Sequence, residues 1–224
     1  MSPEQPGVPP EASPLFVSTF PVGVLQCNCT VIGNRQTGEA IVIDPGGDAR
    51  KILDLLHAHQ LTPSRIVHTH AHFDHILAAG ELHDATGAPL ALHPDDRWLW
   101  ENLAVQCRMF QIPDQPLPLP HQWLKDEEVL ELTGCCGHAI HTPGHTPGST
   151  SFLFESANLL LAGDTLFKGS IGRTDLWGGD YSTLEHSIQT RLYSLNENLT
   201  VITGHGPSTT LQAEMHTNPY VTKV

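Results

Sequence analysis

The residues best able to do chemistry stand in one short run, Thr69-His70-Ala71-His72-Phe73-Asp74-His75. In extended backbone, side chains two apart point the same way, so His70 and His72 can converge on one metal ion. His75 departs from that direction, and the spacing therefore suits two neighbouring ions. Asp74 is expected to cap a helix that begins near Ile76, because a short carboxylate satisfies the free N–H groups of a first turn. Three later positions extend the set. His145 stands in the turn Thr142-Pro143-Gly144-His145-Thr146-Pro147-Gly148, where prolines and glycines fix the backbone. Asp164 ends the apolar run Leu159-Leu160-Leu161-Ala162-Gly163, where a charge is costly unless paired or metal-bound. A carboxylate there can bridge two cations. His205 lies in Gly204-His205-Gly206-Pro207, again at a sharp turn. A single turn histidine carries little meaning, but the convergence of the whole set is hard to reconcile with a non-metal role.

These donors are imidazole and carboxylate only, a set that suits zinc, iron or manganese. Two divalent ions are expected, with zinc the first expectation. Two ions sharing a water bring its pKa towards ~7, and one of them polarises a carbonyl.

The four motifs, H-x-H-x-D-H, H-T-P-G-H-T-P-G, G-D-T-L-F and G-H-G-P, resemble those of the metallo-β-lactamase superfamily, from about Leu15 to Tyr220. The resemblance implies an α+β four-layer αββα sandwich with metals at one edge. It implies one metal site of His70, His72 and His145, and a second of Asp74, His75 and His205, with Asp164 bridging. Asp164 and Asp74 are the implied catalytic carboxylates, Asp74 also orienting the attacking water. Asp44, in Val42-Ile43-Asp44-Pro45-Gly46, matches a supporting aspartate that orients ligands without binding metal.

Within the superfamily, the segment from Gly163 to Asp175, with Gly204-His205-Gly206-Pro207 and Asn218-Pro219-Tyr220, is similar to small bacterial glyoxalase II-like proteins (hydroxyacylglutathione hydrolases). That resemblance implies hydrolysis of a small thioester, S-lactoylglutathione above all. The 19 residues after His205 are too few for the helical domain with which full-length members help hold glutathione. The resemblance thus reaches the hydrolytic centre further than glutathione recognition. Lys168 and Arg173 are the candidate substrate contacts. Arg173 is equally placed to pair with Asp175, and internal pairing is the commoner use of such an arginine.

Persulfide dioxygenases share the implied fold and bind one iron through positions matching His70, His145 and Asp164. Their final motif runs Ala-His-Asp-Tyr where this chain has Gly-His-Gly-Pro, which favours the hydrolase by analogy. A lactonase or other small-ester hydrolase shares the first motif. A flavodiiron protein would place glutamate where His72 stands. A secreted β-lactamase would begin with an export signal.

Short strands and helices must hold these groups. Strands are expected over 16–20, 27–32, 40–44, 65–68 and 89–92, then near 128–132, 137–141, 151–155, 158–161 and 200–203. Helices are expected over 49–59, 76–86, 94–102 and 181–195, with a proline-rich loop over 111–121. Residues 15–224 are expected to form one domain, and residues 1–14, Pro- and Glu-rich with little apolar surface, a disordered arm.

The 224 residues are 39% hydrophobic and carry a formal net charge of −13, enough for a sizeable core. The acidic balance disfavours nucleic acid, whose binding needs Lys and Arg against phosphates. No run reaches the ~18–20 apolar residues of a membrane span, and residues 1–14 lack a secretory pattern, so a cytoplasmic enzyme acting on a small molecule is expected. Five cysteines, Cys135 and Cys136 adjacent, do not read as a disulfide framework. Cys27 and Cys29 read as one face of a strand.

Overall fold

The computed structural model describes residues 13–223, so the arm expected over 1–14 lies outside the described residues but for its last two. The chain opens with β1 (Leu15–Val22), β2 (Cys27–Asn34) and β3 (Glu39–Ile43), an antiparallel meander. Three parallel strands follow, β4 (Thr62–Val67), β5 (Leu90–Leu92) and β6 (Gln122–Trp123). Parallel neighbours need crossovers. They are made by α1 (Ala49–Ala58), by α2 (Phe73–Ile76) with α3 (Ala79–Thr86), and by α4 (Arg97–Glu101) with α5 (Leu103–Met109).

The second half supplies β7 (Val129–Leu130), β8 (Gly137–His141), β9 (Thr150–Phe154) and β10 (Leu159–Gly163). A separate hairpin, β11 (Leu166–Phe167) and β12 (Ser170–Ile171), precedes α6 (Tyr181–Ser187). The chain then adds β13 (Thr200–Thr203), β14 (Thr209–Thr210) and α7 (Leu211–Thr217). Strands β1 to β6 form one six-stranded sheet in sequence order, and the other runs β14-β13-β10-β9-β8-β7.

Alternation along the strands sorts apolar side chains into layers. Ile32, Ile41, Ile43 and Val67 of the first sheet meet Ala139, Phe152, Phe154 and Leu161 of the second in a central core. The opposite faces hold Val31, Val42 and Ile66 under Ile52, Leu56 and Leu82 of α1 and α3, and Ile140, Leu160 and Val201 under Leu184 and Met215 of α6 and α7. Full burial of each such side chain is worth about 1.5–3 kcal/mol. Helix, sheet, sheet, helix is the expected four-layer order.

Several elements differ from the sequence expectation. The helix expected from Ile76 begins three residues earlier and breaks at Ala78, whose N–H donates to Pro45 O at 3.0 Å. Asp74 is therefore not an N-cap: His72 holds that position, and Asp74 lies in the first turn with its carboxylate free for the site. The helix expected from Pro94 starts as a 3-10 turn, Pro94–Asp96. The helix from Tyr181 loosens into a π-turn over Ile188–Leu192. Among the described residues no helix is long and apolar enough to cross a membrane.

Candidate metal centre

The loop from the end of β4 into α2 brings His70, His72, Asp74 and His75 to one edge of the paired sheets, where His145, Asp164 and His205 arrive from the second half. His70 Nε2, His72 Nδ1 and His145 Nε2 form a triangle with sides of 3.1, 2.9 and 3.2 Å. Beside it, His205 Nε2 stands 3.1 Å from Asp74 Oδ2 and 3.3 Å from His75 Nε2. Asp164 lies between the two groups. Its Oδ2 is 3.6 Å from His145 Nε2, and its Oδ1 is 3.4 Å from His75 Nε2.

Hydrogen bonds at the far side of each ring fix which nitrogen faces inward. Thr69 Oγ1 donates to Asp44 Oδ2 at 2.6 Å, so it accepts from His70 Nδ1 at 3.0 Å. His75 Nδ1 donates to the same Asp44 oxygen at 2.9 Å. His145 Nδ1 donates to Arg173 O at 2.7 Å, and His205 Nδ1 to Leu25 O at 3.0 Å. Each of these four rings therefore turns its Nε2 towards the centre. Against burial, Cys27 and the carboxylates of Asp164, Asp74 and Asp44 hold His75 well above the ordinary imidazole range, and Asp74 and Asp164 raise His205.

Burial, then the neighbouring histidines, pushes His70 well below the ordinary imidazole range. Burial and His145 take His72 down to about 3. His70 Nε2 and His145 Nε2, each with its Nδ1 bonded on the far side, face each other at 3.2 Å with His72 Nδ1 beside both. The spacing of these three nitrogens is close to that of ligand atoms around a tetrahedral ion with bonds of about 2.0–2.1 Å. Asp164 Oδ1 is buried without a hydrogen-bond partner among the described residues. Burial opposes its charge, yet His75 and His145 hold its carboxyl well below the usual range. An ionised, buried and incompletely bonded carboxylate between two sets of inward-facing imidazole nitrogens fits two divalent ions.

Backbone close approach sets the geometry. A Cβ on Gly204 would run into Asp164 Oδ1, so only glycine lets the chain leaving β13 pass beneath the Asp164 carboxylate. Asp44, at φ +51°, also accepts from Thr69 N at 2.7 Å and props the first loop from below. Cys27 Sγ lies 3.4 Å from His75 Nδ1, but burial pushes its thiol up to about 12, and it stays a protonated neighbour. Cys29 is buried on the same strand.

The centre opens into a cavity of about 350 Å³ whose lining includes His72, Asp74, His145, Asp164, His205 and Trp177. Arg173 reaches that cavity, but its guanidinium donates twice to Asp175, at 2.7 and 2.8 Å. Lys168 is exposed and lies outside the lining. Two supporting residues escaped the sequence reading. Asp96, buried, accepts from Ala71 N at 2.9 Å, Gly148 N at 2.6 Å and Thr146 Oγ1 at 2.8 Å. Gln106, buried on α5, accepts from Phe73 N and donates to Ala71 O, both at 3.0 Å. The signal for Asp96 was its place just past a buried strand, the position that Asp44 and Asp164 also hold.

This fold and this centre define a metal-dependent hydrolase architecture, and the family model of the metallo-beta-lactamase superfamily matches residues 22–205. The chain belongs to that superfamily. It is 37% identical over 207 residues to the hydroxyacylglutathione hydrolase GloC of Haemophilus influenzae, an alignment spanning 92% of this chain and 97% of that one. The solved structure of BLEG-1, a B3 metallo-beta-lactamase, matches with a TM-score of 0.86 at 39% identity, covering 92% of this chain and 100% of that one. TTHA1623, solved in a di-iron-bound form, matches with a TM-score of 0.80 at 37% identity and the same coverage.

Proposed function

We propose that residues 15–224 form a thioester hydrolase acting on S-lactoylglutathione or a related small thioester. In this reading His70, His72 and His145 hold one divalent ion and Asp74, His75 and His205 a second, with Asp164 between them. The observation that carries it is the pair of abutting donor sets sharing one buried, incompletely bonded carboxylate at the floor of a substrate-sized cavity. The likeness to GloC supports thioester chemistry in particular. Ions held there, zinc first and iron or manganese next, supply an acidified water and positive charge for the developing oxyanion.

The chain's own groups do the rest. Asp74, anchored in the first turn of α2, accepts a proton-bearing partner at Oδ2 and orients the attacking water towards the carbonyl. Asp44, Thr69 and the Arg173 and Leu25 carbonyls hold the histidine tautomers through the cycle. The carbon–oxygen bond forms and the carbon–sulfur bond breaks, leaving a carboxylate, a thiol and a proton released to solvent.

The test is thiol release from S-lactoylglutathione by purified protein of measured metal content, beside Asp164→Ala. Release by the wild type and none by the variant is expected. A protein carrying two metal equivalents that cleaves no thioester overturns the reading. Oxygen uptake with glutathione persulfide is expected to be negligible, and rapid uptake replaces hydrolase with oxygenase.

A further inference from the structure

The cavity wall that does not hold metal donors has a character of its own. Phe73 and Phe110, whose rings stand 4.8 Å apart, supply its apolar lining with Leu25, Leu176 and Trp177. Trp177 is shared with a second hollow of about 300 Å³, bounded by Trp98, Leu99, Pro147 and Gly178. The indoles of Trp98 and Trp177 stand 6.5 Å apart at 60°. Trp98 is 55% exposed, so its indole is open to a bound group. Both hollows are lined by the Trp177 side chain, so the second lies directly beside the first.

The charges along this path are the wrong ones for an anionic arm. The one cation in the lining, Arg173, is engaged at both ends of its fork by Asp175. Lys168 lies outside. Asp95 stands at the far hollow, and Asp74 and Asp164 at the near end. The two carboxylates of a glutathione moiety would meet indoles and aspartates there. An uncharged aromatic or alkyl group would meet the apolar side chains of Phe73, Phe110, Leu176, Trp177 and Trp98 and bring no charge to those aspartates.

Resting on the thioesterase reading above, we infer that the trough from Phe110 past Trp177 to Trp98 is a subsite for an uncharged apolar arm of the thioester, and that thioesters of apolar thiols are its better substrates. The arm stays outside the reaction: water adds to the carbonyl carbon, the sulfur leaves, and the arm departs as a thiol with the proton. Its role is binding, and burying a phenyl-sized group against carbon is worth about tenfold or more in specificity.

The experiment compares the acetyl thioesters of phenylmethanethiol, 2-mercaptoethanol and glutathione on the holoprotein. The expected kcat/KM for the benzyl thioester is at least about tenfold above the other two. Trp98→Ala, a surface change that spares the fold, should cut the benzyl-to-glutathione ratio at least about fivefold. N-benzylacetamide, which is not hydrolysed, should quench tryptophan emission saturably, and glutathione at the same concentration should not. Equal rates on all three thioesters, a preference for glutathione, or a ratio untouched in Trp98→Ala overturns the subsite and leaves the thioesterase standing. No cleavage of any of the three by protein with two metal equivalents overturns the thioesterase reading itself, while saturable quenching by the amide would still establish the trough.

Discussion

The carboxylate of Asp96 accepts a 2.6 Å hydrogen bond from the backbone N–H of Gly148. Its other oxygen accepts from Ala71 N and Thr146 Oγ1, so one buried side chain ties the loop of His70 and His72 to the turn of His145. Asp44 braces the first loop on its own, accepting from Thr69 and from His75. Two buried carboxylates thus clamp the loops that carry the donor triangle.

Removing one clamp should show its weight. Asp96→Ala strands two backbone N–H groups in the interior, each worth about 1–3 kcal/mol when left unsatisfied, and leaves the Thr146 hydroxyl only its bond to Ser149 Oγ. We expect a total loss of about 2–4 kcal/mol, because the three groups share one site and relax together. Asp96→Asn keeps an acceptor in place and should lose less. Urea unfolding with metal analysis checks both. Midpoints and metal content equal to wild type in Asp96→Ala would show the tie to be idle.

His72 sits at the apex of the triangle, 3.1 Å from His70 Nε2 and 2.9 Å from His145 Nε2. His72→Ala removes a donor from a site whose other parts are fixed by separate hydrogen bonds. Circular dichroism should therefore be unchanged while hydrolysis drops by more than about 100-fold. Near-wild-type turnover in this variant would falsify the two-ion assignment.

Local spacing made the donors legible. His70, His72, Asp74 and His75 lie within six residues, and His145, Asp164 and His205 each sit at a strand end or Gly-Pro turn that can be read without a partner. The same local signals gave the long strands and α1, where apolar alternation is regular. What stayed hidden depends on distant contacts. Strands β6 and β14 are two residues each and exist only because a neighbour pairs with them. Helix α5 was missed although Gln106 on it braces the site, since its buried amide reads as surface polarity until Ala71 and Phe73 are packed against it. The break at Ala78 escaped because Pro45, far upstream, supplies the carbonyl that interrupts the helix.

Gly204 offers a test of the bridging carboxylate without touching a donor. A methyl group at this position runs into Asp164 Oδ1 and stands 3.0 Å from His75 Cε1. Strand β13 is paired with β10 on one side and β14 on the other, so the carboxylate must yield before the backbone does. Gly204→Ala should lower bound metal below two equivalents and reduce turnover at least about tenfold, since small misplacements of positioned groups are costly. Full metal content with normal turnover would show that Asp164 has room to move.

Thiol chemistry separates Cys27 from the donor set. The thiolate is the reactive and metal-binding form of cysteine, and burial pushes Cys27 up to about 12 and Cys29 higher than an ordinary thiol. Cys107 is also raised by burial, and Cys135 is buried, with Ser156 Oγ donating to its sulfur at 3.1 Å. Cys136 alone of the five is exposed. A chromogenic disulfide reagent at neutral pH should therefore titrate one thiol in the native protein and five after denaturation, with peptide mapping placing the native label on Cys136. Rapid native labelling of Cys27 would mean that a thiolate stands beside His75. It would add a soft sulfur donor to the second group and shift the expected metal towards those that prefer thiolate.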